Sequence, residues 1–117
     1  MEKKDFLRNK SMTFSVRVVK LYTYLKGKSE YVMSKQLLRS GTAIGALIRE
    51  AEYGQSKKDF INKLSIAVKE ANETEYWLEL LLNTEFINVQ EYNSIVNDCK
   101  ELLKMLTASI KTAKKNL

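Results

Sequence analysis

Histidine is absent from these 117 residues, which removes the commonest general base and metal ligand and leaves no Ser-His or Cys-His pair to assemble. Proline is absent too, and glycine occurs only at positions 27, 41, 45 and 54, so little in the chain interrupts a helix. The single cysteine, Cys99, cannot close an internal disulfide, and its place in an apolar helical stripe reads as a small core residue in a reducing compartment. No apolar run approaches the roughly 18 residues of a membrane span, and the charged opening MEKKDFLRNK has no stretch suited to a signal peptide. A glycine-rich phosphate cradle is also missing. These absences predict a cytoplasmic, non-enzymatic protein with no cofactor, no metal, no membrane association and no small-molecule substrate. Glu70 and Glu73 stand at i and i+3 as in carboxylate metal sites, but the di-iron pattern needs Glu-x-x-His, and helix ion pairing accounts for both glutamates.

What is present is helical periodicity. With 44% hydrophobic residues, the chain is long enough to bury one core without metals or disulfides. β-Branched residues fall at spacings of three and four rather than alternating, which predicts an all-α domain. Four helices are expected, at about residues 11–26, 30–53, 56–82 and 89–115. The first puts Phe14, Val18, Leu21 and Leu25 on one face. The second aligns Met33, Leu37, Ser40, Ile44, Leu47 and Ala51, and Gly54 follows where a left-handed cap is common. Ser56 with Asp59 resembles a capping box opening the third, whose stripe is Phe60, Leu64, Ala67, Ala71, Thr74, Leu78 and Leu81. Asn88 and Glu91 open the fourth, whose heptad stripe is Tyr92, Val96, Cys99, Leu103, Leu106, Ile110, Ala113 and Leu117. Short connections make antiparallel neighbours, predicting an up-down-up-down antiparallel four-helix bundle, left-handed, with crossing angles near about +20°.

Several residues exceed what one seam needs. Ile66, Trp77 and Leu80 form a second edge on helix 3, and Ile95 and Leu102 lie outside the helix 4 stripe, which points to self-association or to a broad core. Gly41 and Gly45, four apart, each lower helix propensity by about 1 kcal/mol and so mark a place where another backbone comes close. Beside them run Gln36, Arg39, Ala43, Ala46 and Glu50, facing Lys63, Ile66, Glu70, Glu73 and Trp77 of helix 3. Arg39 is expected to pair with Glu73 or Glu70 and fix register.

These polar and small residues carry a resemblance. Arg39-Ser40, Glu50-Ala51, then Ser56, Asp59 and Phe60, and the run Lys63 to Leu78, resemble the bacterial four-helix bundle proteins of the 23S ribosomal RNA intervening-sequence protein family. The likeness is strong over this middle segment and looser over the whole layout. It implies a homopentamer with a central opening and makes Arg39, Ser40, Glu50, Ser56, Asp59, Glu70, Glu73 and Trp77 motif or interface residues. A similar fold serves diversity-generating retroelements as an accessory protein that binds nucleic acid and a reverse transcriptase. The chain departs from the family pattern at Leu47-Ile48-Arg49, where relatives carry an asparagine and a glycine.

Charge is uneven. Lys and Arg number 20 against 14 acids, a net +6, and residues 1–28 alone hold eight bases and two acids, so the remainder sums to zero. Lys10, Arg17, Lys20 and Tyr24 share one face of the first helix, a surface suited to phosphate backbones of RNA or DNA. Lys111, Lys114 and Lys115 form a lesser cluster that also complements a helix dipole. Two functions stay open: an oligomeric accessory module that binds nucleic acid beside a protein partner, and an interaction scaffold with no polyanion affinity.

Overall fold

Four amphipathic segments with no proline inside them become four α-helices: α1 (Lys3–Gly27), α2 (Met33–Glu52), α3 (Lys57–Asn83) and α4 (Val89–Lys115). The computed structural model describes residues 3–117, and no strand occurs among them. Glu2 and the side chains of Lys3, Lys4 and Asp5, counted above in the basic lead-in, lie outside the described residues. Helix α1 opens earlier than expected from its apolar stripe, because Leu7 and Ser11 continue the buried face by further turns. Helix α2 opens later, at Met33, since residues 28–32 form the turn.

The chain directions follow from side-chain pairs. Arg8 meets Glu52 while Val18 meets Gly41, so α1 and α2 are antiparallel. Glu50 meets Lys63 while Arg39 meets Glu73, reversing α3 against α2. Lys10 meets Glu101 while Arg17 meets Asp98 and Ser94, and α4 closes the cycle against α1. Each helix packs on two neighbours around the cycle, and the backbones of the diagonal pairs stay apart. The extents of 47 × 23 × 22 Å match bundled rods of about 40 Å.

Caps explain the ends. Ser56 Oγ accepts from the Asp59 N–H at 3.0 Å, and Asn88 with Glu91 forms a reciprocal capping box at 2.8 Å in both directions. No glycine adopts a positive φ, so Gly54 is not the left-handed cap the sequence suggested. Ser29 (φ 64°) and Glu85 (φ 66°) take that conformation instead. After each, an amide reaches five residues back, Glu30 N–H to Leu25 O at 2.9 Å and Phe86 N–H to Leu81 O at 3.0 Å, as in Schellman endings. At Gly54 a Cβ would lie 2.9 Å from Asp59 Oδ2, which can swing aside, and 3.1 Å from the Ala51 carbonyl oxygen, which cannot, so the position is tight.

A device with no motif starts α2. The buried Glu30 carboxylate accepts from the N–H groups of Val32, Met33 and Ser34 at 3.1, 2.9 and 2.7 Å. It thereby satisfies orphan donors of the first turn and sets a negative charge at the positive end of the helix dipole.

The core draws one face from every helix: Phe14, Val18 and Leu25; Leu37, Ile44 and Ile48; Leu64, Leu78 and Leu81; Val96, Leu102 and Leu106. Ile95 and Leu102, expected at the edge of α4, are buried, whereas Leu103 and Ile110 are half-buried and Leu117 is exposed. A helix held between two neighbours buries a broader stripe than a two-helix heptad seam does. Leu47 gives way to Ile48 in α2 for the same reason. Cys99 is fully buried, and burial pushes its thiol up to about 12, so it stays protonated and packs as a small apolar residue.

Candidate nucleic-acid interface

Helix α1 divides its surface in three. Phe14 and Val18 face the core, Lys10 and Arg17 turn toward α4, and Met12, Val16 and Val19 form a largely exposed stripe at i, i+4 and i+7. The cationic side is therefore built at the α1/α4 seam, the most sparsely packed of the four.

Along that seam the guanidinium of Arg17 is fully organised. Its Nη1 donates to Asp98 Oδ2 at 2.7 Å and to the Ser94 carbonyl at 3.1 Å, and its Nη2 donates to Ser94 Oγ at 2.9 Å. Two turns from the start of α1, Lys10 pairs with Glu101, and that hydrogen bond holds the ammonium pKa above its ordinary value. Two of the four residues expected to face phosphate thus already have carboxylate partners. Their acids come from the far end of the chain, and a count of charge along α1 cannot see them.

Lys20 and Tyr24 remain available. With Arg17, Gln90 and Ser94 they border an open groove of about 580 Å³, whose floor includes Leu21 and Ile95. Lys28 Nζ lies 5.0 Å from the centre of the exposed Tyr24 ring and Lys26 Nζ lies 5.2 Å from that of the half-buried Tyr22, two cation–π contacts at the end of α1. Hydrogen bonding to Tyr24 raises the pKa of Lys28 above its ordinary value. Gln90 and Ser94 were absent from the sequence-level site because nothing in α4 alone marks them. Lys111, Lys114 and Lys115 are exposed but do not join this groove. Since Lys10 meets Glu101, the antiparallel register carries residues 111–115 past the start of α1, at the opposite end of the bundle from Tyr24.

A second polar site crosses α2 and α3. Arg39 Nη1 donates to Glu70 Oε1 at 3.1 Å, its Nη2 pairs with Glu73, and its Nε approaches Gln36 Oε1 at 3.4 Å. The Trp77 indole N–H donates to Glu73 Oε2 at 3.0 Å. Trp77 and then Arg39 hold the Glu73 carboxyl below the usual range. Beneath them the buried hydroxyls of Ser40 and Thr74 share a hydrogen bond of 2.9 Å. Both expected acidic partners of Arg39 are engaged at once. Glu50 contributes separately, 3.4 Å from Lys63, and Ser56 and Asp59 serve the α3 cap. Trp77 also stacks edge-on with Tyr76, ring centres 5.0 Å apart.

The arrangement defines a class: a single-core helical bundle with polar networks at two seams, and no group of three or more potential metal-ligating side chains among the described residues. The sequence pattern of the 23S rRNA-intervening sequence protein family matches residues 4–108, and the chain belongs to that family. A crystal structure of a protein with unknown function from the S23 ribosomal protein family of Bacteroides thetaiotaomicron VPI-5482 is similar, with TM-score 0.92 and 58% identity over 94% of this chain and 99% of that one. No curated protein matches the chain. No helix among the described residues is long and apolar enough to cross a membrane.

Proposed function

We propose that this protein is a non-enzymatic, cytoplasmic, oligomeric module that binds RNA or DNA backbones through the C-terminal half of α1 and the adjoining α4 groove. The observation that carries the reading is the pair of exposed residues Lys20 and Tyr24 on the rim of that groove, with Lys28 Nζ 5.0 Å from the Tyr24 ring, at the end of the helix that holds the net positive charge. Arg17 and Ser94 stiffen the seam behind it. Phosphates engaging these ammonium groups would release counterions, and the exposed Tyr24 offers a ring for an unstacked base. The resemblance to a pentameric family supports repetition of this surface around a ring, and the exposed Met12, Val16 and Val19 supply an apolar patch for contact between copies.

That same apolar stripe favours the second reading, a scaffold whose partners dock on helix faces without polyanion affinity. Fluorescence anisotropy of a generic single-stranded RNA over a salt series separates them. The first reading expects log affinity to fall linearly with log salt, and expects Lys20→Glu, Lys26→Glu and Lys28→Glu together to lower the slope by about 2. Absence of binding at low salt overturns it in favour of the scaffold.

A further inference from the structure

Beyond residue 28 the chain holds equal numbers of acids and bases, but the fold separates them. Glu30 and Glu91 serve helix starts, Glu50, Glu70 and Glu73 pair across the α2/α3 seam, and Glu52, Asp98 and Glu101 pair with cations of α1. The lysines of α3 and α4 are left on a face of their own.

On α4, Lys100, Lys104, Lys111 and Lys115 recur at intervals of four, seven and four, which keeps them on one side of a helix over about 22 Å. Lys58 and Lys69, about three turns apart, share one side of α3 in the same way. The two rows adjoin. Cys99 Sγ donates to the Ala71 carbonyl at 3.5 Å and Lys57 Nζ to that of Asn116 at 3.3 Å, so Lys58 stands level with Lys111 and Lys115, and Lys69 with Lys100 and Lys104. All six are exposed, and among the described residues none forms an ion pair, unlike Lys10, Arg17, Arg39 and Lys63. No acid follows Glu101 in α4, and Asp59 and Glu70 of α3 lie toward Gly54 and Arg39 instead. Glu75 and Glu79 bound the patch at its far end, where both act on Tyr92.

We propose that this α3/α4 face binds the sugar-phosphate backbone of double-stranded nucleic acid, as a surface separate from the α1 groove and independent of it. Six ammonium groups without counter-charges select a polyanion. A protein partner would need an apolar anchor, since interface cores are rich in aromatic residues and poor in lysine. No large apolar side chain is exposed between Lys58 and Lys69 or between Lys100 and Lys115; Tyr76, Val89 and Leu117 lie outside both stretches. The same absence leaves no ring on which an unstacked base could rest, in contrast to Tyr24 beside Lys20, so the face suits a backbone whose bases stay paired. Phosphates along one strand of a duplex advance about 3.4 Å each, and the α4 row therefore spans about six of them. Helix α3 lies diagonal to α1, so the two surfaces look in different directions.

The test is fluorescence anisotropy of a short labelled DNA duplex of mixed sequence, titrated with the full chain over a salt series. Lys100→Gln, Lys104→Gln, Lys111→Gln and Lys115→Gln combined should lower the slope of log affinity against log salt by about 3 to 4 and weaken binding at low salt at least about tenfold. Glutamine matches lysine closely in helix propensity, so the variant keeps the fold. Lys20→Gln, Lys26→Gln and Lys28→Gln together should change the duplex slope by less than about 1. The α1 reading is judged on single-stranded RNA and stands or falls by itself. An unchanged slope in the α4 variant, or duplex binding lost to the α1 variant instead, overturns the proposal. Absence of duplex binding at low salt also overturns it, and retention on phosphatidylserine vesicles in that case would give the face to a membrane surface.

Discussion

Gly41 and Gly45 allow the same substitution to be made twice on one helix with opposite expected signs. Replacing either by Ala removes a conformational cost of about 1 kcal/mol in a helix interior. What the new methyl meets differs. At Gly41 a Cβ would stand 2.8 Å from both Cγ1 and Cγ2 of Val18, a fully buried β-branched side chain. Val18 has little rotamer freedom with which to withdraw. Overpacking of this kind costs about 1–3 kcal/mol, so Gly41→Ala should destabilise by about 1 kcal/mol net of the propensity gain. At Gly45 the nearest atoms are Ser15 Oγ at 3.3 Å and Ser11 Oγ at 3.4 Å. The Ser15 hydroxyl can rotate aside, and Gly45→Ala should be neutral or stabilising by up to about 1 kcal/mol. Urea unfolding followed by circular dichroism reads both, at fixed protein concentration because self-association would add to the apparent stability. Val18→Ala combined with Gly41→Ala should recover part of the Gly41→Ala loss, a coupling of opposite sign to that of a favourable contact. If Gly41→Ala stabilises as much as Gly45→Ala, the close approach of α1 to α2 is wrong and so is the reasoning that glycine is there for space.

Two further outcomes test the polar devices. Burial alone would raise the pKa of Glu30, but the amides of Met33, Ser34 and Val32 outweigh it and the carboxyl titrates below its ordinary 4.5. Its stabilisation is therefore complete above that pH and lost as pH falls through the lower folded value, so Glu30→Ala should cost about 2 kcal/mol at neutral pH, flatten this acid limb, and show both in unfolding curves collected from pH 7 downward. For Arg39, half-exposed at 49%, a double-mutant cycle with Glu73→Ala should give a coupling of no more than about 1 kcal/mol. Trp77 fluorescence, from the sole tryptophan, should shift in Glu73→Ala but little in Glu70→Ala, and a zero coupling would leave Arg39 as a solvated surface charge.

The α2/α3 site was more legible in the sequence than the α1/α4 seam, and the reason is spacing. Glu70, Glu73 and Trp77 lie within two turns of one helix, and Arg39 is the base that antiparallel pairing brings to them, so period and polarity place the network before any coordinates exist. Arg17 and Lys10 gave no such warning. Their partners Asp98 and Glu101 are separated from them by most of the chain, and the acids on α4 look like ordinary surface charge until the bundle closes. The helix ends show the same division. Ser56 and Asn88 were readable because each stands at a cap position with an acid three residues on, whereas Glu30, equally local, stands two residues ahead of the Val32 cap and matches no such pattern, and Ser29 and Glu85 hold positions that composition assigns to glycine.

By itself the sequence determined that the chain forms helices, roughly where they run, and which residues begin the third and fourth, since all of these depend on groups within a few residues of one another. Tertiary structure alone decided which cations of α1 pair with acids on another helix and which edge residues join the core. Those outcomes depend on which surfaces meet across four helices, and contacts between distant segments leave no local period to read.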